Sequence, residues 1–336
     1  MRTCYGRVLE NLDAGRESFV VARCGPGGVV RELAEAGDPD DPPEGTRIAF
    51  TRTEDGAILR ERVTPRERLV ILGAGHIAVP LARIGAMLQF DVTVFDDRPS
   101  FANDARFPDA TVVCDFFDVL KERLPIRAAD YVAVVTRGHR HDQECLRQIL
   151  QGVAPRYLGM IGSKRRSGFV IEQLAEEGFP KATLDRVHAP IGLDIGAQSP
   201  EEIALAILAQ MVQTRHADRP RTMLRQEPSV DREVLEWLAA HGDVPLVIAT
   251  VVSTKGSTPR MAGACMLVLE DGRTIGSIGG GCAEGDVLRE ARRLLRVGGH
   301  AVQTIDLTGS AEDEGMVCGG EMTVLAEAHN VAAPGR

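Results

Sequence analysis

The chain has 336 residues, which is long enough for two domains. Hydrophobic residues make up 44% of it but aromatic residues only 4%, so we expect aliphatic cores. A formal net charge of -9 argues against a general nucleic-acid binder or a protein of anionic membrane surfaces. Because the sequence has neither an apolar run of membrane-spanning length nor the apolar stretch of a signal peptide at its start, we expect a cytoplasmic protein.

The seven cysteines are scattered and form no CxxC pair. This spacing argues against a disulfide framework and against a standard zinc site. Most free cysteines pack as small buried hydrophobic residues.

Residues 1–66 are predicted to form a small β-rich module. Three short runs have β character, and turn sequences separate them: Ser18–Cys24, Thr46–Arg52 and Ala57–Val63. We find no residues there that indicate chemistry.

The next stretch has the order of a dinucleotide-binding βαβ unit. Leu69–Leu72 is an apolar run that stops at Gly73 and Gly75, and a helical pattern follows. Gly73 permits a tight turn, Gly75 lets the backbone approach a phosphate, and Ala78 takes the third small position, where the helix meets the strand. The alternative is a glycine turn that only packs the sheet.

A second β-rich run after this helix ends at Asp96, which is far enough along to reach a ribose hydroxyl. The N-terminus of the intervening helix offers N–H groups and a partial positive charge to an anion. His76 follows the glycine turn and either points at a phosphate or caps the helix.

Residues 67–216 alternate strand and helix patterns, which predicts a mostly parallel, Rossmann-like sheet. Further strands are expected near Thr111–Cys114, Asp130–Val135 and Tyr157–Ile161. Ligands of such sheets bind beyond the carboxyl ends of the strands.

Two segments that follow these strands carry candidate binding residues. A predicted loop after Val135 contains Arg137, His139 and His141, and contact with a bound nucleotide or pterin is favoured there over a zinc site. Ser163 and Lys164 begin a cationic helix start that suits an anion. An ordinary solvated helix start is the alternative for the second segment.

A capping box predicts the start of the next helix at Pro200, with Ser199 as the N-cap and Glu202 three residues later. Residues 217–230 are polar and contain prolines, so we interpret them as an interdomain linker.

Residues 231–330 are predicted to form a smaller α+β domain with a glycine-rich loop. A strand over Pro245–Ser253 leads into a loop in which Lys255 and Arg260 are candidates for contact with phosphate.

Three consecutive glycines, Gly279, Gly280 and Gly281, precede a predicted helix in this domain. Glycine costs backbone entropy, so such a run indicates left-handed torsions or a ligand close to the backbone. Cys282 stands at the start of that helix, where a thiolate is favoured, and Cys318 precedes a glycine pair. The two thiols are candidates for one soft-ligand or nucleophilic pocket, and buried cysteines in a glycine-rich turn system are the alternative.

Taken together, several segments resemble the xanthine dehydrogenase accessory proteins of the XdhC/CoxI family. The resemblance covers roughly residues 68–327 and rests on Leu72–Asn103, Val134–Leu150, Tyr157–Arg166, Val187–Ile207, Lys255–Leu267, Gly276–Val287 and Cys318–Met322. Family members that carry both modules usually place the glycine-rich GGGC module first, and this chain has the reverse order.

The resemblance implies a chaperone that binds molybdenum cofactor (molybdopterin) and protects it. It also implies delivery of the sulfurated cofactor to a xanthine dehydrogenase-like hydroxylase, with a cysteine desulfurase as a further partner, and a homodimer. Cys282 and Cys318 are then candidate molybdenum ligands or sulfur carriers. NAD(P) or another nucleotide is the candidate ligand of the Rossmann cleft.

Two other functions stay open at this point. One is an NAD(P)-dependent oxidoreductase, for which His139 and His141 are the only attractive proton donors. The other is a regulator that senses a nucleotide or redox state.

Overall fold

The computed structural model of the chain describes residues 1–43, 46–217, 230–307 and 319–331. The chain divides into two units, one formed by Met1–Pro65 with Arg219–Arg336 and the other by Arg66–Asp218. In the described residues, the Arg66–Asp218 unit has one sheet and the other unit has two, and each unit has hydrophobic cores of its own.

The helices are α1 (Arg2–Asp13), α2 (Ala78–Met87), α3 (Leu120–Arg123), α4 (His139–Leu150), α5 (Lys164–Glu176), α6 (Lys181–Leu184), α7 (Pro200–Ala217), α8 (Arg232–His241) and α9 (Gly281–Val297). The strands are β1 (Ser18–Gly25), β2 (Gly28–Ala34), β3 (Ile48–Thr53), β4 (Gly56–Val63), β5 (Arg68–Leu72), β6 (Asp91–Asp96), β7 (Thr111–Cys114), β8 (Tyr131–Val134), β9 (Tyr157–Met160), β10 (Leu246–Lys255), β11 (Cys265–Leu269), β12 (Thr274–Gly276), β13 (His300–Asp306) and β14 (Glu321–His329).

The Arg66–Asp218 unit is built on a five-stranded sheet in the order β7-β6-β5-β8-β9, and every pairing in it is parallel. The chain leaves β5 toward β6 on one side and later returns to β8 on the other. The carboxyl end of β5 is therefore the point where the strand order reverses, which is where open α/β sheets bind ligands. The predicted Rossmann-like sheet is confirmed.

Both faces of this sheet are covered, because successive strand residues point to opposite sides. Leu69 and Ile71 pack with α2 and α7. Val70 and Leu72 pack with α4 and α5 on the other face. This explains why Leu69–Leu72 of β5 is a continuous apolar run.

Helix starts in this unit follow local chemistry. The predicted capping box is confirmed at α7, where Ser199 Oγ accepts a hydrogen bond from Glu202 N at 3.2 Å and Ser199 N donates to Glu202 Oε2 at 3.0 Å. The loop predicted after β8 is wrong from His139 onward, because α4 begins there. Helix α5 begins at Lys164, because Ser163 caps it by accepting a hydrogen bond from Arg166 N.

The other unit contains two antiparallel sheets. Strands β1 to β4 form a four-stranded sheet in the order β2-β1-β4-β3, and β10 to β14 form a five-stranded sheet in the order β12-β11-β10-β14-β13. Strand β10 lies in the middle of the second sheet and pairs with β14 along most of its length.

A different hydrophobic cluster packs on each face of the five-stranded sheet. Val247 and Ala249 of β10 pack with α9 on one face. Leu246 and Ile248 point the other way, into a cluster that also contains residues of α1, α8, β1 and β4. Residues 1–65 thus supply part of the cover of a sheet formed by residues 246–329, and they begin with the helix α1, which the strand pattern alone did not predict.

A buried ion-pair network joins these two parts. Arg31 on β2 donates to both carboxylate oxygens of Glu327 on β14, Nε to Oε2 at 2.9 Å and Nη2 to Oε1 at 3.0 Å. Its remaining nitrogen, Nη1, donates to Tyr5 Oη at 2.5 Å and Glu61 Oε2 at 3.0 Å. Burial alone would raise the pKa of Glu327, but the charge of Arg31 and hydrogen bonds from His329 and Arg31 outweigh it and lower that pKa to about 2.

None of the helices in the described part of the chain is both long enough and apolar enough to span a bilayer.

Replacing Arg31 by Met is expected to destabilise the protein by about 3–5 kcal/mol, because Glu327 then keeps a buried charge without its partner. The measurement is urea-induced unfolding of the full chain. The matched control is Arg23→Met on the adjacent strand. Arg23 forms a half-exposed ion pair with Glu32, which is expected to contribute less than about 1 kcal/mol to the free energy of unfolding. Equal losses in the two variants would contradict the role given to Arg31.

The stability contributed by Glu327 is expected to depend on pH. Its pKa is lowered in the folded state, so the carboxylate stabilises the fold above its ordinary pKa of about 4.3 and this contribution is lost as the pH falls toward the folded value. The difference in unfolding free energy between wild type and Glu327→Gln should therefore shrink between about pH 6 and pH 3. A difference that stays constant across this range would show that Glu327 does not titrate as proposed.

Candidate functional site

The turn after β5 uses its two glycines differently. Gly73 has a φ of 110°, and a Cβ there would lie 2.5 Å from the carbonyl oxygen of Val135, so the fold itself requires glycine. Gly75 lies outside the left-handed region, and a Cβ built on it meets no atom within 4 Å. The absent side chain of Gly75 therefore leaves the backbone open on its outer side, as a ligand in close approach requires.

Helix α2 begins just after this turn. Ala78 is fully buried where the helix meets the sheet, as predicted for the third small position. Pro80 stands in the first turn, where its missing N–H removes no intrahelical hydrogen bond, and no acidic residue occupies that turn. His76 is exposed beside it. The start of α2 therefore keeps its partial positive charge for an anion.

Asp96 lies at the carboxyl end of β6 but is 1% exposed. Its Oδ2 accepts hydrogen bonds from Ala74 N at 2.7 Å and Arg98 Nη2 at 2.8 Å. Its Oδ1 accepts from Arg98 N at 3.0 Å and Arg98 Nε at 2.8 Å. A carboxylate has about four lone-pair sites, and these four bonds use them. In this structure, Asp96 holds the glycine turn in place.

Two arginines that the sequence did not single out flank the turn. Arg98 pairs with Asp96, and its guanidinium lies 3.9 Å from the centre of the Phe101 ring. Arg106 Nη1 donates to the carbonyl oxygens of Ala74 at 2.7 Å and Phe101 at 2.9 Å. The polar loop after β6 is rich in Arg and Phe, but only the tertiary fold places these guanidinium groups against the turn.

Arg137 follows β8 and forms an ion pair with Asp97, which follows β6. Each carboxylate oxygen of Asp97 accepts a hydrogen bond from a different Arg137 nitrogen. These hydrogen bonds and the charge of Arg137 lower the pKa of Asp97. Strands β6 and β8 flank β5, so this ion pair spans the carboxyl end of β5.

The two histidines lie in the first turn of α4. The ring of His141 packs against Phe117 with centroids 5.1 Å apart, and His139 makes an edge contact with Phe169 at 6.4 Å. The described residues contain no group of three His, Cys, Asp or Glu side chains placed to hold a metal ion.

A buried carboxylate connects α4 to α5. Asp142 accepts hydrogen bonds from Thr136 Oγ1 at 2.5 Å and from Arg166, and burial raises its pKa despite these partners. Ser163 Oγ is used in capping α5, while Lys164 is exposed at the first helical position. At the predicted anion-binding start of α5, Lys164 therefore faces solvent, whereas Arg166 pairs with Asp142.

The second group of predicted residues lies in the other unit. Gly279, Gly280 and Gly281 all have positive φ, at 130°, 73° and 65°. A Cβ on Gly279 would lie 2.5 Å from Pro259 Cγ. Helix α9 begins at Gly281, which places Cys282 in its first turn.

Glu284 occupies the inside of this glycine turn. Its Oε1 accepts hydrogen bonds from Ser277 Oγ at 2.6 Å, Gly280 N at 2.9 Å and Ile278 N at 3.2 Å. Burial would raise the pKa of Glu284, but these hydrogen bonds outweigh it and lower the pKa. The N–H groups of Ile278 and Gly280 in this turn therefore donate to the chain's own carboxylate.

The loop after β10 packs against two glycine segments. Pro259 touches Gly279, as described above. On the other side, a Cβ on Gly256 would lie 2.7 Å from Gly319 O, and a Cβ on Gly320 would lie 2.1 Å from Ser257 O. Lys255 is exposed at the start of this loop and Arg260 is half-buried at its end. Cys318 lies outside the described residues.

Comparison with known proteins agrees with this division. Residues 69–211 match the XdhC Rossmann domain, and residues 239–306 match the XdhC and CoxI family. The chain belongs to the XdhC and CoxI family. In this member, the Rossmann domain precedes the segment that matches XdhC and CoxI.

Curated relatives of this family member cover only part of its length. It is 35% identical over 187 residues to the uncharacterized protein YqeB of Escherichia coli, and 33% identical over 156 residues to a probable xanthine dehydrogenase subunit from Bacillus subtilis. It is 25% identical over 151 residues to the molybdenum cofactor insertion chaperone PaoD of Escherichia coli. These matches cover 55%, 46% and 45% of the chain but only 34%, 45% and 41% of the respective relatives.

A solved structure supports the fold. The crystal structure of a xanthine dehydrogenase from Bacillus halodurans is 30% identical, with a TM-score of 0.51 and 64% of each chain covered.

The two glycines of the first turn lead to a matched pair of variants. Gly73→Ala is expected to destabilise the protein by about 1–3 kcal/mol or more, because it combines a left-handed φ with a backbone clash. Gly75→Ala should leave the unfolding free energy within about 0.5 kcal/mol of wild type, since its Cβ enters open space. Urea unfolding of both variants checks this, and a large loss for Gly75→Ala would mean that the fold also needs that glycine.

Proposed function

We propose that this chain binds molybdenum cofactor, protects it, and delivers it in sulfurated form to a xanthine dehydrogenase-like molybdenum hydroxylase. Family membership and the similarity to a molybdenum cofactor insertion chaperone support this proposal. A cysteine desulfurase is the proposed source of sulfur, and a homodimer is the proposed assembly.

One structural observation carries the proposal. The loop from Lys255 to Arg260 packs against two glycine segments that lie far apart in the sequence, and each segment is close in sequence to a cysteine. Gly279 is three residues before Cys282, and Gly319 directly follows Cys318. Both glycine segments that pack against this loop thus adjoin a cysteine in the sequence, and the loop itself carries two cations, Lys255 and Arg260.

The chemistry of these groups suits the cofactor. Molybdenum cofactor is an anionic pterin with a phosphate and a soft dithiolene, and its metal accepts thiolate ligands. Helix N-termini favour the thiolate form of cysteine, and Cys282 lies in the first turn of α9. A thiolate at this position is able to hold a soft metal or to carry sulfur as a persulfide. Lys255 and Arg260 are the proposed phosphate contacts.

In this proposal, Glu284 is a positioning residue. Its carboxylate holds the backbone N–H groups of Ile278 and Gly280 and so fixes the glycine turn that leads into Cys282. The turn is then rigid before any ligand arrives, which lowers the ordering cost of binding.

We further propose that the Rossmann domain binds a nucleotide, either NAD(P) or the nucleotide part of a cofactor. The specific observation in favour is the open backbone at Gly75, with Arg98, Arg106 and Arg137 around the carboxyl end of β5. The ring of His141 packs against Phe117 and His139 is exposed, and we propose a hydride-transfer role for neither.

The first experiment measures molybdenum and pterin in protein purified from cells with an intact cofactor pathway. Wild type is expected to carry both, and Cys282→Ala is expected to lose most of each while keeping its unfolding free energy. The matched control is Cys114→Ala, which removes an exposed thiol on β7 in the other unit and should retain the cofactor.

Two results would contradict the proposal. The first is wild type that carries neither molybdenum nor pterin, although an active co-expressed molybdenum enzyme shows that the cells supply the cofactor. This result would show that the chain does not carry the cofactor. The second is an equal content of molybdenum and pterin in wild type and Cys282→Ala, which would show that Cys282 does not bind the cofactor.

A further inference from the structure

The ion pair between Asp97 and Arg137 lies where a nucleotide would have to pass. A nucleotide in a Rossmann cleft places its phosphates over the first glycine turn and its ribose toward the end of the second strand. Here these positions are the turn at Gly73–Gly75 and the end of β6. The ion pair joins the ends of β6 and β8 and therefore spans both positions.

Asp96 is poorly placed to receive a ribose hydroxyl. It is 1% exposed, and its four hydrogen bonds to Ala74 and Arg98 leave no lone-pair site for another donor. Releasing the bond from Ala74 N would loosen the glycine turn on which phosphate binding depends.

Asp97 has the capacity that Asp96 lacks. Its carboxylate accepts two hydrogen bonds, both from Arg137, so about two lone-pair sites stay available. Its side chain is 11% exposed and that of Arg137 is 39% exposed. Solvent reaches the pair from the side of Arg137 and screens it there, so a ligand that compensates both charges can replace the pair.

We infer that nucleotide binding exchanges this ion pair: Asp97 accepts a hydrogen bond from a ribose hydroxyl, and Arg137 turns to the diphosphate. The inference rests on the proposed nucleotide-binding role of the Rossmann domain. It assigns the hydroxyl acceptor to Asp97, one residue beyond the acid that the sequence motif indicates. The ligand class is a ribonucleoside diphosphate or a dinucleotide that contains one.

The exchange explains the role of each charge. Before a nucleotide binds, Arg137 neutralises Asp97, so the carboxylate does not repel an approaching diphosphate. Once a nucleotide is bound, Arg137 pairs with the diphosphate. The carboxylate of Asp97 then accepts a hydrogen bond from a ribose hydroxyl, which a deoxyribose lacks. Arg98 stays with Asp96 and Phe101 in both states and keeps the turn in place.

The test is isothermal titration of the full chain with ADP and CDP and with their 2′-deoxy forms. Wild type should bind at least one ribonucleotide about ten times or more as tightly as its 2′-deoxy form, the ratio expected for a hydrogen bond to a charged group. In Asp97→Asn this ratio should fall several-fold, because the amide oxygen is only a neutral acceptor. The affinity for the 2′-deoxy form should be retained or increased, because Arg137 is no longer held by a carboxylate.

Two further variants separate the roles. Arg137→Gln should weaken the ribo and 2′-deoxy forms by similar factors and so preserve their ratio, as expected for a residue that contacts only the diphosphate. Asp96→Asn should lower the midpoint of urea unfolding, because it replaces one of the two accepting oxygens with an NH2 donor and removes the charge paired with Arg98. Asp97→Asn should leave that midpoint nearly unchanged, since its ion pair is partly exposed.

Two outcomes would overturn the inference. If Asp97→Asn keeps the wild-type ratio and Asp96→Asn loses it, the hydroxyl acceptor is Asp96. If wild type binds neither ADP nor CDP at millimolar concentration, the nucleotide role itself fails. Neither result bears on molybdenum retention by Cys282, which is measured without added nucleotide.

Discussion

The buried pair of Arg31 and Glu327 is the constraint on which one unit of this protein depends. It joins β2 to β14 across 296 residues of sequence, and both side chains are almost fully removed from solvent. Burying these charges is unfavourable unless every partner is present, so the pair permits one arrangement of the two sheets and penalises others. The five-stranded sheet that leads into the glycine-rich turn is held by residues from the opposite end of the chain.

A comparable principle organises the carboxyl edge of the parallel sheet. Three of the acids there are each paired with an arginine: Asp96 with Arg98, Asp97 with Arg137, and Asp142 with Arg166. Pairing removes the repulsion that three carboxylates would exert on an anionic ligand. The pairs differ in burial, from the enclosed Asp96 and Asp142 to the more exposed Asp97, and this difference separates carboxylates with a structural task from one available to a ligand.

The glycines divide in a similar way. Gly73 and Gly279 are required by close backbone or side-chain neighbours, whereas Gly75 faces open space. Gly280 has a left-handed φ with no neighbour near its Cβ position, so it is needed for the path of the chain into α9 rather than for packing. A glycine-rich motif is therefore a mixture of folding requirements and ligand access, and the structure separates the two.

The sequence by itself determined the Rossmann sheet, the glycine turn after β5, the capping box of α7 and the family. These depend on local patterns, in which strand apolarity, turn chemistry and helix caps act over a few residues. It did not determine the role of Asp96, the position of Arg98 and Arg106 against the turn, or the occupation of the glycine turn at Gly280 by Glu284. Nor did it predict α1 or the packing of residues 1–65 with the C-terminal sheet. Only the tertiary structure decided these, because hydrogen-bond capacity and burial depend on neighbours that the chain brings together from distant positions.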